Sequence, residues 1–532
     1  MDPMTAATTT HCIPHSALPG ATALLREYIY EFPRVQAFYR YNPNHPDSIR
    51  RAAALAAIPD ERRRAVVAAL RRLNPASPSL DALADSRTVA IVTGQQVSLF
   101  GGPCYALYKA LTAVQLARQL TADGIPAVPV FWMASEDHDL AEADHCWVFG
   151  PAQRPHRLAA RVRGPAGAPV GPMELESVPL DMLNAELGEF PFAAEVLDQV
   201  AAAYQSGRSL GEAFRILFSS LLRDLGLIFL DPLDPGIRAA AAPFLTQALE
   251  RSDELSAALL ARGDELRSAG YHAQVLFERD SSLFLRLEDG RRIALRRNNG
   301  AWFHGSRRYD AAGLAVEPAA LSPNALLRPV MQDYLLPTAA YVGGPAEIAY
   351  FAQSGVLYSA LLERMPVIVP RAGFTLLDAR ASKLMERFGL TITDCLQPES
   401  VLRDRMARRL LPPNLDTLFC AADQAVLDAA TPLQDALERF DPTLASALAK
   451  SVAKMRYQIE KNRLKAAREA LRREQRVTGG AAYLSGLLYP ERHLQERLYS
   501  FLPFLAKHGP SLIETLLDNT SRGCPDHLLL TL

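Results

Sequence analysis

TVAIVTGQQVSLFGGPCYALYKALTA, residues Thr88–Ala113, decides the fold. Its first six residues form a short β-branched run, the pattern of a strand buried on both faces. A turn carrying Gly94, Gly101 and Gly102 follows. PCYALYKALTAVQLARQL then reads as a helix, with Pro103 suited to its first turn. A second apolar run, AVPVFWMA (Ala127–Ala134), ends in the acidic stretch Ser135-Glu136-Asp137-His138-Asp139. Strand, helix, strand in that order is a βαβ unit with a right-handed crossover.

Working outward, TAAYVGG (Thr338–Gly344) and PVIVP (Pro366–Pro370) read as further strands, separated by a helix through Ala349–Leu362. From about 150 to 330 the pattern loosens into Pro/Gly breaks, amphipathic helices and a strand-like GLIFLD (Gly226–Asp231). LFLRLEDGRRIALRR in the same region places Asp289-Gly290 between two alternating runs, a short-range hairpin signal. The stretch from 20 to 85 is rich in Arg and Ala and reads as helical. Beyond 420, Leu444, Leu448, Val452, Met455 and Ile459 fall at steps of four, four, three and four, a coiled-coil seam. The expected architecture is α/β, with a Rossmann-type parallel-sheet core, a large insertion and a C-terminal α-helical coiled coil. Its expected segments are an N-terminal helical part (1–85), the first half of the core (86–150), the insertion (151–330), the second half (331–415) and the coiled coil with its tail (416–532).

A chain of 532 residues is too long for one compact core, and about three or four domains or large insertions are expected. With 49% hydrophobic and 22% charged residues it can pack such cores. A net charge of −1 argues against a protein that lives on nucleic acid. The one local exception is the helix Lys454–Arg476. It sets Lys454, Arg456, Lys461, Arg463, Lys465, Arg468, Arg472, Arg473 and Arg476 against Glu460, Glu469 and Glu474. That face is either a solvated coiled-coil flank or a phosphate-contacting arm. Six scattered cysteines without a C-x-x-C pair argue against a zinc ribbon or a disulfide framework and fit a reducing cytosol. The first twenty residues lack the pattern of a signal peptide, and no run of about 18 apolar residues exists to span a membrane. A cytoplasmic protein without membrane partners is expected.

In open parallel sheets ligands gather outside the carboxyl ends of the strands. After the first strand, Gln95 and Gln96 are amides that need partners at a buried strand end. The N–H groups of the helix start at Gly101 and Gly102 would attract a phosphate or carboxylate. Tyr105, Lys109 and Thr112 share a helix face. A glycine turn needed only for close packing, with Lys109 solvated, explains the same residues. After the second strand, Glu136, Asp137, His138 and Asp139 could serve as a general base, a clamp for an ammonium or hydroxyl group, or oxygen ligands for Mg²⁺. Were Ser135 a helix cap, His138, Glu142 and His145 would line one side of that helix. An acidic helix start that complements the dipole is the plainer alternative. Gly343, Gly344 and Glu347 follow the third strand, and Arg371 the fourth, where it could pair with an anion. Without H-E-x-x-H or a Cys/His cluster no metal site is expected, and P-loop, GxGxxG and G-x-S-x-G signatures are missing. Cys104 reads as a small core residue.

TGQQVSLFGGPCYALYKALTA, PVFWMASEDHD, GYHAQV (Gly270–Val275), SPNALLRPVMQDYLLPTAAYVGGPAEIAY (322–350) and the basic coiled coil resemble the bacillithiol-biosynthesis cysteine ligase family, BshC. The matches come in the family's order and span most of the chain. The resemblance implies a Rossmann core interrupted by connecting-peptide insertions and a coiled coil that makes a homodimer. It implies a ligase that joins cysteine to glucosaminyl-malate to give bacillithiol. Forming that amide requires an activated carboxylate, so ATP is expected as cofactor with ADP as product, and Mg²⁺ is a candidate ion. In such a reaction the Gly101–Pro103 helix start would hold phosphate or malate oxygens. Glu136, Asp137 or Asp139 would hold the cysteine ammonium or Mg²⁺, and His138 would take the amine proton. The chain departs from the family pattern at Ser98, at Cys104 and in the shortened Gly343-Gly344-Pro345-Ala346. Rival readings are an amino-acid-activating nucleotidyltransferase or synthetase-like enzyme with another acceptor, whose HxGH signature is missing, and a non-catalytic basic coiled-coil scaffold or nucleic-acid binder.

Overall fold

The structure, a computed structural model, describes residues 9–75, 77–298, 300–473, 478–520 and 524–532. Glu474 and Arg476 of the basic helix lie outside these residues. Five parallel strands form the core sheet: β1 (Val89–Gln95), β2 (Ala127–Met133), β3 (Ile228–Leu230), β4 (Thr338–Gly343) and β5 (Val367–Pro370). Their order across the sheet is β5-β4-β1-β2-β3. Alternate side chains of a strand point to opposite faces. On β2, Val130 and Trp132 enter one hydrophobic core while Phe131 and Met133 enter the other. The helix α1 (Cys104–Ala122), which leaves β1, packs into the second of these. On the first face lie α2 (Arg328–Leu335) and α3 (Pro345–Leu361), the latter leaving β4. Chain crossing to one side of β1 and to the other side of β4 makes the gap between these two strands the topological switch point.

Two expectations about segment content change. Ile228–Leu230 belongs to the core sheet, pairing in parallel with β2, although it lies inside the stretch assigned to the insertion. The run GLIFLD reads as a strand, but nothing local to it says which sheet it joins. The N-terminal part is helical from Ala23 onward, but Thr9–Ile13 is a strand, antiparallel to His527–Thr531, which runs parallel to Phe374–Leu377. That small sheet brings Cys12 and Cys524 together as a disulfide. The six cysteines read as arguing against a disulfide framework, and this one pair escapes that reading because residues 512 positions apart leave no spacing pattern.

The hairpin centred on Asp289-Gly290 forms as expected, both turn residues taking positive φ (50° and 72°). It is the middle of a five-stranded antiparallel sheet that closes with Leu321–Pro323 and leads into α2.

Near the C-terminus α4 (Pro413–Phe440) and α5 (Pro442–Arg473) fold back on each other at Asp441. Arg456 pairs with Asp423 and Arg463 with Asp416, so numbers rise on one helix as they fall on the other, the mark of an antiparallel hairpin. Arg468 reaches Asp404, and Arg472 and Arg473 share Glu469. Much of the basic face is thus neutralised within the chain. The seam read from sequence is divided, because Leu444 and Met455 are each 46% exposed while Leu448, Val452 and Ile459 are half-buried.

Candidate functional site

At the switch point, outside the carboxyl ends of β1, β2 and β4, lies a cavity of about 270 Å³. Gly94, Gln95 and Gln96 reach it from β1, Tyr105 and Lys109 from α1, and Gly344 to Glu347 from the start of α3. Three strand ends that the sequence singled out therefore converge.

The convergence is held by one ion pair. Lys109 is 4% exposed and its ammonium donates to Glu347 Oε2 at 2.5 Å, to the Gly94 carbonyl at 2.9 Å and to Gln95 Oε1 at 3.0 Å. Glu347 also accepts from the Gly344 N–H (2.7 Å) and the Tyr341 hydroxyl (2.6 Å). Burial pulls the Lys109 ammonium below the ordinary lysine value, and Glu347 works against that pull. Both glutamine amides find the partners that burial demands. Gln95 Nε2 donates to the Tyr105 hydroxyl (3.2 Å) and Gln96 Nε2 to the Asp139 carbonyl (3.0 Å).

The acidic stretch after β2 divides. Ser135 caps no helix, since its hydroxyl donates to Asp231 and the helix that follows is the single turn Leu140–Ala143. His145 lies on a strand beyond it. Glu136 is fully buried behind the cavity, where Oε2 accepts from the Ser322 hydroxyl at 2.7 Å and lies 4.0 Å from Arg238. Asp137 lines the cavity, with Arg292 at 3.1 Å and Arg328 at 3.6 Å. His138 and Asp139 are exposed and form no part of its wall. Backbone pairing with Val170 and Gly171 holds this segment irregular, so neighbouring side chains point in different directions.

Gly101 and Gly102 do not reach the cavity. The Gly101 N–H donates to the Tyr204 hydroxyl (3.1 Å), Gly102 to the Leu99 carbonyl (3.0 Å) and Cys104 to the Tyr499 carbonyl (2.7 Å). A Cβ on Gly101, whose φ is +81°, would collide with the Phe501 ring. The start of α1 is sealed by protein and is not an open anion site, contrary to the expectation from its glycines. Cys104 is fully buried, and burial raises its thiol well above the ordinary value. Arg371 does line the cavity, but its guanidinium is committed to Glu496 through contacts of 2.6 and 2.9 Å, while Glu496 also accepts the Phe374 N–H.

Sequence reading missed Trp132, Arg328, Gln332, Tyr341, Tyr350 and Arg497, all of which line the cavity, and named Glu142 only as part of a helix that does not form. Arg328 and Gln332 stand four apart on α2, a spacing that could have flagged a shared face. Nothing in the sequence around Arg497 points to a site. Among the described residues the side chains of Glu142 and Arg497 have no hydrogen-bond or ion-pair partner, which leaves one carboxylate and one guanidinium of the wall uncommitted. A second cavity, of about 350 Å³, adjoins the first and shares Pro345, Ala346, Arg371 and Arg497 with it. Leu18, Leu25, Ile29, Ile348 and Pro370 make its walls more apolar, with His15, Gln274, Glu496 and His527 between them. Among the described residues no three His, Cys, Asp or Glu side chains come together as a metal site. Nor is any helix among them long and apolar enough to cross a membrane.

Residues 9–372 match the family model described as bacillithiol biosynthesis BshC, N-terminal Rossmann-like domain, and residues 374–532 match the C-terminal coiled-coil domain of the same family. The chain is similar to three proteins that each carry the name "Putative cysteine ligase BshC". The one from Solibacter usitatus is 48% identical over 98% of this chain and 99% of that protein. The Koribacter versatilis protein is 39% identical over 98% and 99%, and the Salinibacter ruber protein 34% identical over 95% of each.

Proposed function

The chain belongs to the bacillithiol-biosynthesis BshC family, and we propose that it joins L-cysteine to glucosaminyl-malate in an ATP-dependent amide-forming step in the cytoplasm. The observation that carries this reading is the paired cavities, one charged and one more apolar, meeting at Pro345, Ala346, Arg371 and Arg497. A ligase needs two reactants lodged separately and touching at one point. An unpartnered acid and an unpartnered guanidinium in one wall suit substrates that carry an ammonium and an oxyanion.

ATP supplies the leaving group that turns a carboxylate into an acylating agent. The donors that fit its phosphates are Arg497 and the Ala346 and Glu347 N–H groups in the first turn of the 17-residue helix α3, in place of the sealed start of α1; Pro345 has no N–H and that of Gly344 is taken by Glu347. Mg²⁺ would enter with the phosphates. Glu142, which lines the cavity and has no partner among the described residues, is the group placed to hold the incoming ammonium and take its proton, a role that His138, outside the cavity wall, does not fit. Asp137 is already engaged by Arg292.

The hairpin of α4 and α5 leaves Leu418, Leu433, Phe440, Leu444, Met455 and Tyr457 exposed. This apolar surface supports a homodimer made through the coiled coil. Light scattering should return twice the chain mass, and Phe440→Asp with Leu444→Asp should return the chain mass.

The test of the reaction is direct. Purified protein given L-cysteine, glucosaminyl-malate, ATP and Mg²⁺ should yield a thiol whose mass is the sum of the two substrates less one water. A deletion strain should lose that thiol and regain it from the intact gene. Failure to form it, with product from another amine acceptor instead, would favour the synthetase-like reading.

A further inference from the structure

One wall of the charged cavity, built from β2 and α2, carries N–H donors whose capacity the fold does not exhaust. Trp132 is 2% exposed and lines the cavity, and its indole Nε1 has no partner among the described residues. Gln332 is 3% exposed and lines the same cavity; its Nε2 leans toward the Asp333 carboxyl but among the described residues has no partner in hydrogen-bond geometry. Arg328 stands one turn before Gln332 on α2, lining the cavity, and its guanidinium approaches Asp137 at 3.6 Å and the Tyr350 hydroxyl, which leaves part of its five N–H donors for a ligand. Buried N–H groups are nearly always paired, so an orphan in a cavity wall marks where a bound acceptor belongs.

We propose that Trp132 Nε1, Gln332 Nε2 and Arg328 form a carboxylate-binding wall, and that it holds a carboxylate of the acceptor substrate that takes no part in the reaction. Indole and guanidinium can only donate, so the group they meet accepts and is not an ammonium. Flat guanidinium and amide donors match the two oxygens of a planar carboxylate. A carboxylate held by three donors is stabilised as the anion, which opposes its conversion to an acylating agent. The carboxylate on this wall is therefore not the one that is activated, and on the ligase reading above it belongs to the malyl group.

The chain holds three tryptophans, Trp132, Trp147 and Trp302, so full-length protein labelled with ¹⁵N-tryptophan gives three indole N–H resonances. Trp132→Phe keeps a ring in place and identifies one of them by its loss. L-Malate should move that resonance downfield, saturably, and leave the other two in place. Arg328→Gln should weaken the malate response about tenfold, the scale of a lost charge-assisted hydrogen bond, with the ligand-free spectrum retained. In steady-state assays Trp132→Phe should raise KM for glucosaminyl-malate about tenfold and leave KM for cysteine in place. A Trp132 resonance that ignores malate, or that answers to L-cysteine or inorganic phosphate alone, overturns the assignment. Thiol formation with a silent indole would sink this wall and leave the ligase standing. A malate response without thiol product would do the reverse.

Discussion

Lys109 Nζ and Glu347 Oε2 lie 2.5 Å apart across the gap between two helices that leave the sheet on opposite faces. Lys109 is on the helix that follows β1, and Glu347 begins the helix that follows β4. Their contact bridges the switch point and fixes the distance between the two lips of the cavity. Each partner also binds backbone of the β1 or β4 end, through Gly94 and Gly344.

Breaking that pair on one side should be costly. Lys109→Met strands a mostly buried Glu347, and removing one partner of a buried pair typically costs about 3–5 kcal/mol. Lys109→Met with Glu347→Leu should recover most of the loss. Urea unfolding of the two single variants and the double variant measures the coupling, and strictly additive losses would show that the pair does not act as a unit.

The amine proton should depend on Glu142 and not on His138. Glu142→Gln is expected to lower kcat by about 10²-fold or more, the usual contribution of a positioned general base, with little change in KM for ATP. His138→Ala should stay within about twofold of the parent, since exposed substitutions away from a site rarely matter. Steady-state thiol formation decides, and the reverse ranking would restore His138.

Acid should loosen the junction between the core and the C-terminal segment. His527 is 1% exposed, its Nε2 lies 2.8 Å from the Thr375 hydroxyl, and burial lowers its pKa to about 4, with Arg371 and His15 also disfavouring the charge and Glu496 opposing. A histidine depressed in the folded state binds its proton more tightly when unfolded. Its contribution is therefore complete above about 6.5 and is lost as pH falls toward 4. The gap is worth roughly 3 kcal/mol. Compared with His527→Gln, the parent should lose about that much stability between pH 6.5 and 4 in denaturant titrations; parallel pH profiles would count against it.

Asp333 runs the other way. Burial raises its carboxyl to about 6, although the Tyr358 hydroxyl donates to it at 2.5 Å and Arg364 stabilises the anion. A carboxyl raised in the folded state stabilises the fold when protonated. That contribution is complete below about 4 and is lost as pH rises through 6. Asp333→Asn should therefore exceed the parent in stability at pH 7 by up to about 3 kcal/mol, and the difference should shrink as pH falls to 4. Melting curves at the two pH values measure it, and a constant difference would rule the effect out.

Long periodic segments were legible from the residues. Thr88–Thr93 is a short β-branched run and Ala127–Ala134 an apolar one, and they became neighbouring parallel strands because a strand buried on both faces admits little else. Asp289-Gly290 named its own turn, because few residue pairs tolerate positive φ twice. The partners of short or distant features were not legible. Gly226–Asp231 was legible as a strand but not as part of the core sheet, which it joins because β2 offers an edge, and Cys12 meets Cys524 only through a sheet that joins the two ends of the chain.

Within the site the same line can be drawn. The sequence by itself determined that a Rossmann-type sheet would open at Gln95, Asp137 and Glu347, because strand ends and the turns after them are local properties of the chain. Which of those residues face a ligand was decided by tertiary packing. Phe501 and Tyr499 close the helix start that Gly101 and Gly102 would otherwise leave open. Glu136 turns inward to Ser322, and Glu496 engages Arg371. Trp132, Arg328 and Arg497 join one wall from segments far apart in the chain. A donor or charge becomes a binding group only when the rest of the fold has left it unpaired, and that is settled by contacts between distant residues.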